Sequence, residues 1–497
     1  MQSETVLPKP VTLRERGFLL LIAAVFVCLA LASAATRAPW CDEAYFAEPA
    51  YQILKVGKMA TFVSLPDQTD EPRTAGTDRY LYWTLPLDIV LQAGWYKIVG
   101  FGMVRMRALS MLWGLVAMGS WWVILRRMGA EPLLRVAGVA LIILDYAFVR
   151  GGSEGRMDVM GAALGFMGIA IFLSWEERGY ARAIFWGAFC SATSALTHPI
   201  AGMMATAGLG VTILWYSRGR FRLWHPLVAA VPYLLFFGAW GIYIAQAPDL
   251  FKRQLLDLSS GRMGAWRAPA TAVWNEFMQR WAGPFGLSGH FGLRQIRVLV
   301  LLAYAVGLGW ALFRFRSFAR SGFGLLCLVP VLDLVLLCFA DNTKNAAYLV
   351  HVLPWLAACL AVLLVKYWQR GGVVVFTLLL AIQIFGTAYL VSRLEYQREF
   401  APAVSFLQQH GGKVTGEAQL GFGLGFDNAA VIDDHRLGFY SGPKTAIFAM
   451  DRAYDIFLER YRSTHPEIYQ FVMAKVKRSK LIFENAQYRI YQDPTVQ

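Results

Sequence analysis

A chain of 497 residues that is 57% apolar and only 16% charged departs from soluble globular domains, which are nearer half apolar and a quarter charged. Its formal net charge of +14 would raise the question of nucleic acid in a soluble protein. Here most basic residues lie in short connections between long apolar blocks, so the charge reads as membrane topology and no nucleic-acid partner is expected.

The first apolar block, 17–35, lacks a small-residue cleavage pattern followed by a soluble domain, and reads as an anchor rather than a removed signal. Further blocks lie near 106–125, 133–149, 157–174, 183–198, 200–216, 226–245, 295–313, 321–340, 346–365 and 372–391. Blocks of roughly this length cross a bilayer as helices, which satisfy their own backbone hydrogen bonds. The expected fold is therefore an α-helical polytopic membrane protein of about eleven transmembrane helices.

Basic residues fall on alternate connections: Lys9, Arg14 and Arg16; Arg126, Arg127 and Arg135; Arg178 and Arg182; Arg218, Arg220 and Arg222; Arg314, Arg316 and Arg320; Lys366 and Arg370. The positive-inside rule makes these cytoplasmic. Leu81 to Val99 is apolar but carries Pro86, Asp88, Gln92 and Lys97, so it is expected to lie at the outer interface or re-enter rather than cross. The parity then places 36–105, 246–294 and the tail from Arg393 outside, with the first 392 residues forming a membrane domain and 393–497 a small α/β domain. In that tail, Ala403 to Gln409 and Asp451 to Tyr461 read as helices, and Lys480 to Phe483 and Tyr488 to Tyr491 as strands. Reporter fusions at Arg218 and Arg398 are expected to report opposite sides of the membrane. The same side for both would break the scheme.

The six cysteines form no disulfide framework; only Cys41 lies at an aqueous boundary, and no metal-ligand spacing occurs. Gly421, Gly423 and Gly425 form G-x-G-x-G without the rest of a nucleotide fingerprint, which reads as a glycine-rich strand or turn. Asp333, deep in an apolar block, is expected to face a bundle interior.

The chemistry-bearing segment is W-C-D-E-A-Y-F-A-E-P-A-Y, Trp40 to Tyr51, directly after the first span. Its carboxylates, Asp42 and Glu43, fit a general base, a metal ligand, or simply a helix start favoured by the dipole. G-K-M-A-T and Y-L-Y-W-T-L-P-L follow, then G-R-M-D-V-M-G-A-A-L-G (Gly155 to Gly165) at an outer span mouth, L-T-H-P-I-A-G (Leu196 to Gly202), and K-N-A-A-Y-L-V-H-V-L-P (Lys344 to Pro354). This series resembles the polyprenyl-phosphate-sugar-dependent glycosyltransferases of the membrane-embedded C-type (GT-C) fold, and among them the bacterial protein-mannosyltransferase-like and aminoarabinose-transferase-like group. The likeness is carried by about 36–205, weakens toward 365, and beyond that rests on an outer terminal domain of similar size and placement.

The resemblance implies that Asp42 is the catalytic carboxylate, with Glu43 beside it, and that the donor is a polyprenyl-phosphate-linked sugar. Where the family often reads Lys-Gly-Pro, this chain has Thr197-His198-Pro199, without the lysine. Sugar nucleotides are made in the cytoplasm, so carboxylates outside need a lipid-borne donor from the outer leaflet. Its phosphate leaving group calls for cations: Arg150, Arg156, Arg262, Arg267 and Lys344 are candidates, each of which can instead meet lipid phosphate or water. Asp158 pairs with Arg156 or Arg150 or else contacts substrate, and His198 either caps its turn or binds substrate. The expected activity is inverting transfer to an extracytoplasmic lipid, glycan or protein acceptor, at the inner (plasma) membrane among membrane lipids. The rival is a lipid-linked-sugar transporter or flippase, disfavoured by the lack of internal repeats and of polar groups at the midplane.

Overall fold

The computed structural model describes residues 11–64, 74–217, 219–257, 265–287, 293–319, 321–427, 430–442 and 444–496. Lys9, Arg218 and Arg320 of the expected cytoplasmic loops lie outside these. In chain order the longer helices are α1 (Leu13–Thr36), α2 (Cys41–Val56), α3 (Pro86–Val99), α4 (Met103–Arg127), α5 (Pro132–Ile143), α6 (Tyr146–Gly152), α7 (Asp158–Trp175), α8 (Tyr180–Ala195), α9 (Pro199–Trp215) and α10 (His225–Ile244). They continue with α11 (Val298–Phe313), α12 (Leu325–Ala340), α13 (Leu349–Lys366), α14 (Gly372–Ser392), α15 (Ala401–His410), α16 (Arg452–Thr464) and α17 (Pro466–Arg478).

Each of the expected span positions is helical. Among the described residues, eight helices are long and apolar enough to cross a membrane, or nine if the bent pair α5–α6 is one span. That pair covers the span expected over 133–149, with the helix bent by 63° at Leu144–Asp145. The cause is local: Asp145 accepts the Ala147 and Phe148 N–H groups and so starts a new helix. Its other carboxylate oxygen accepts the Tyr304 hydroxyl, which holds the break inside the bundle.

Contacts divide the chain into two compact units, one of Met1–Ser33, Arg107–Tyr243 and Ser259–Tyr389, the other of Ala34–Met106, Ile244–Leu258 and Leu390–Gln497. The first is the helical membrane unit. The most buried of the eight candidate spans are α7 and α13, with 78% and 83% of their apolar windows buried. Small residues permit the close packing of α7 on α8: a Cβ on Gly168 would lie 2.8 Å from the Gly187 carbonyl oxygen. Arg135, in the first turn of α5, is buried and forms a two-pronged bond with Glu15, at 2.8 and 2.7 Å, a structural ion pair. Asp333 does face the interior, lining a cavity of about 20 Å³ with His351 and Trp355.

The second unit combines the segment after α1 and residues 244–258 with the tail. Its sheet has strands β1 (Val414–Thr415), β2 (Val431–Ile432), β3 (Ile447–Met450), β4 (Lys480–Glu484) and β5 (Arg489–Gln492), in the order β2-β1-β3-β5-β4. β1 runs parallel to β2 and β3, and β5 antiparallel to β3 and β4. The period of two sends Ile447 and Ala449 into a core with Phe400 and with Val404 and Leu407 of α15, and Phe448 and Met450 into a second core with Tyr454, Tyr461 and Val472. Ala44 and Val63, from the segment between α1 and α3, belong to the first of these cores. The glycine run is a single helical turn, Gly421–Leu424, closed by Gly425 at φ +92°. α3 is 14 residues long, and its polar residues Asp88, Gln92 and Tyr96 are buried in a hydrogen-bonded ladder at 2.7 and 2.6 Å.

Candidate active site

In the second unit, α2 begins at Cys41, directly after an extended Trp40. The two adjacent carboxylates diverge, as neighbours about 100° apart on a helix must. Asp42 is half-exposed in the first turn, whereas Glu43 is fully buried and its Oε2 accepts the Trp40 N–H at 3.3 Å. Glu43 therefore closes the helix start, and of the pair only Asp42 is presented to solvent.

A third carboxylate of the same motif, Glu48, was not singled out by sequence. It is fully buried, accepts the Phe62 and Val63 N–H groups at 2.6 and 3.3 Å, and also bonds the Thr61 hydroxyl. It ties the loop after G-K-M-A-T back onto α2. Burial outweighs these bonds and pushes its carboxyl up to about 7. A carboxyl raised from 4.5 favours folding in its protonated form, so its contribution is fully present below pH 4.5 and lost as pH rises through about 7. The span is on the order of 3 kcal/mol. Glu48→Gln is expected to flatten the fall in thermal stability between pH 5 and 7; an unchanged slope would count against this assignment.

In the membrane unit, the segment Arg150 to Asp158 is an ordered turn. Arg150 is exposed and bonds Glu154 at 2.9 Å, one turn on. Arg156 and Asp158 are both buried, with Nε donating to Oδ2 at 2.7 Å, so the Arg156 pairing expected as one reading of Asp158 is present. His198 is the N-cap of α9: Nδ1 accepts the Ile200 N–H at 3.2 Å, while Nε2 lies 3.1 Å from the Tyr348 hydroxyl.

Lys344 does not snorkel to a lipid surface. Its side chain is 1% exposed, and Nζ donates to the Cys338 carbonyl at 2.5 Å and lies 3.3 Å from Glu276 Oε2. Its left-handed φ of 51°, unusual for lysine, is held by Asp341, which accepts the Thr343 N–H and hydroxyl at 3.0 and 2.6 Å and so closes the D-N-T-K-N turn. Arg280, also buried, bridges Glu276 (3.1 Å) and Asp341 (2.8 Å) and lies over the Tyr348 ring at 5.7 Å. The structure thus gathers Lys344 and His198 around Tyr348 and Arg280, and holds Arg156 to Asp158. Arg267 is exposed against its neighbour Trp266, and Arg262 lies outside the described residues. Sequence reasoning missed Arg280, Glu276 and Tyr348. The only signal for the first two was their place in the second outer loop; Tyr348 stood unremarked inside K-N-A-A-Y-L-V-H.

No family model and no curated protein matches the chain. Solved structures do. The crystal structure of ArnT from Cupriavidus metallidurans bound to undecaprenyl phosphate is similar at a TM-score of 0.59 and 14% identity, over 96% of this chain and 98% of that one. The archaeal oligosaccharyltransferase AglB from Archaeoglobus fulgidus, in complex with an inhibitory peptide and a dolichol-phosphate, is similar at a TM-score of 0.50 and 11% identity, over 97% of this chain and 74% of that one. The chain has the C-type fold of these membrane glycosyltransferases.

Proposed function

We propose that the chain is an inverting glycosyltransferase that moves a sugar from a polyprenyl-phosphate donor to an extracytoplasmic acceptor. The observation that carries this is the end-to-end likeness to a transferase fold that holds undecaprenyl phosphate, with Asp42 half-exposed at the start of α2. Asp42 takes the proton of an acceptor hydroxyl as that oxygen attacks the anomeric carbon. The bond from that carbon to the phosphate oxygen breaks, and polyprenyl phosphate leaves as an anion. Where the acceptor is itself an anionic phosphate, no proton need be removed, and Asp42 positions it or stabilises positive charge on the sugar. Glu43 supports the helix start rather than sharing the proton.

The leaving phosphate needs cationic donors that act more strongly in the transition state than in the bound donor. Lys344 is assigned that contact, a phosphate oxygen replacing Glu276 at its ammonium, with Arg280 beside it. Arg150, Arg156, Asp158, His198 and Arg267 are assigned to substrate binding.

Purified protein incubated with radiolabelled undecaprenyl-phosphate sugars is expected to release undecaprenyl phosphate. Movement of intact donor across a vesicle membrane without release would instead identify a transporter.

A further inference from the structure

The first turn of α2, which Glu43 closes by accepting the Trp40 N–H at 3.3 Å, carries Asp42, and a helix end keeps its direction only while the turn behind it is held. Tyr45 lies three residues on, at the spacing that puts two side chains on one helix face. The half-exposed Tyr45 ring packs edge-on against Trp83 at 5.4 Å, and its hydroxyl donates to Asp433 Oδ2 at 2.7 Å.

Asp433 is a firm anchor. Its N–H donates to the Val63 carbonyl at 2.7 Å, and its Oδ2 also accepts the Ala418 N–H at 3.0 Å. Oδ1 lies 3.4 Å from His435 Nε2, which is in turn 3.7 Å from Glu417 Oε1 and stacked on Phe457. The Gln419 amide joins Glu417 to Asp451 at 2.8 and 2.7 Å. Burial, reinforced by the carboxylates around it, also pushes up the Cys41 thiol in the same first turn, so it stays protonated.

We infer that Asp433 is a positioning residue for sugar transfer: through Tyr45 it fixes the first turn of α2 and hence the direction of the Asp42 carboxylate. The inference rests on the reading of Asp42 as the catalytic carboxylate, and gives the tail a part in catalysis that neither its sequence nor its fold assigns.

The test uses the full-length protein in a Cys28→Ser background, because Cys28 is exposed, Cys41 is half-exposed and the other four thiols are buried. Two quantities are measured: the rate of N-ethylmaleimide labelling at Cys41, and kcat and KM for release of undecaprenyl phosphate. Tyr45→Phe and Asp433→Ala are expected to speed labelling on the order of tenfold, as a fraying turn opens. Both are expected to lower kcat by about 10- to 100-fold, the cost of a misplacement near 1 Å, with KM within about twofold. Asp433→Asn, whose amide oxygen can still accept the tyrosine hydroxyl, should recover most of kcat; Tyr45→Phe, which leaves the Asp433 charge beside Cys41 in place, is the variant whose labelling rate reads the turn alone. The double variant Tyr45→Phe/Asp433→Ala should be no worse than the poorer single, since both remove one interaction.

Wild-type labelling and kcat in Tyr45→Phe, or losses that add in the double variant, would overturn the inference. Should Asp433→Ala not fold, Tyr45→Phe removes only a hydroxyl and decides alone. Full turnover in Asp42→Asn would instead sink the functional reading, while Cys41 labelling, which needs no donor, would still judge the anchor.

Discussion

Asp42→Asn is expected to abolish sugar transfer while leaving the protein folded in the membrane. Asparagine keeps the shape of the side chain but cannot take a proton, and losing one proton-transfer group costs about 10²–10⁴ in rate. The structural cost of the same change is small. Asp42 is half-exposed, and a carboxylate at a helix N-terminus contributes roughly 0.3–1 kcal/mol. The two effects therefore separate: turnover collapses while the melting temperature barely moves. Glu43→Gln should behave in the opposite way. Glutamine retains an oxygen for the Trp40 N–H, so any loss of activity should follow a loss of stability, because Glu43 is fully buried. Wild-type turnover in Asp42→Asn would remove Asp42 from the mechanism.

Much of this was legible in the sequence because it depends on local chemistry. The apolar blocks gave helices, and Lys480 to Phe483 and Tyr488 to Tyr491 gave neighbouring strands. Asp451 starts a helix as the N-cap of α16. What was hidden depends on partners distant in sequence. Asp145 broke an apolar run because it caps a helix and bonds Tyr304, 159 residues away. The carboxylates of Trp40 to Tyr51 looked equivalent as a string; packing buried Glu43 and Glu48 and left Asp42 half-exposed. Nothing in M-Q-R-W distinguishes Arg280 from an ordinary loop arginine until Asp341 and Glu276 close on it. The first outer loop gave no sign that Ala44 and Val63 would help fill a core of the tail.

Lys344→Met is expected to cut donor turnover strongly, and the structure changes how that result must be interpreted. A lysine at a lipid surface would tolerate methionine. This one is buried against Glu276, so removing its charge leaves a buried carboxylate without that partner, which typically costs about 3–5 kcal/mol. Loss of turnover in the single variant therefore fits either a broken ion pair or a lost phosphate contact. Removing both charges separates the two. Glu276→Gln/Lys344→Met leaves no orphaned carboxylate and should regain most of the lost stability, although Arg280 then gives up its bond to Glu276 and keeps Asp341. If Lys344 stabilises the leaving phosphate, the double variant regains its melting temperature but not its kcat. Lys344→Arg, which keeps the charge, should restore part of kcat. Recovery of kcat together with stability in the double variant would end the phosphate assignment for Lys344. The leaving group would then fall to Arg280, which holds its guanidinium in the same cluster over the Tyr348 ring.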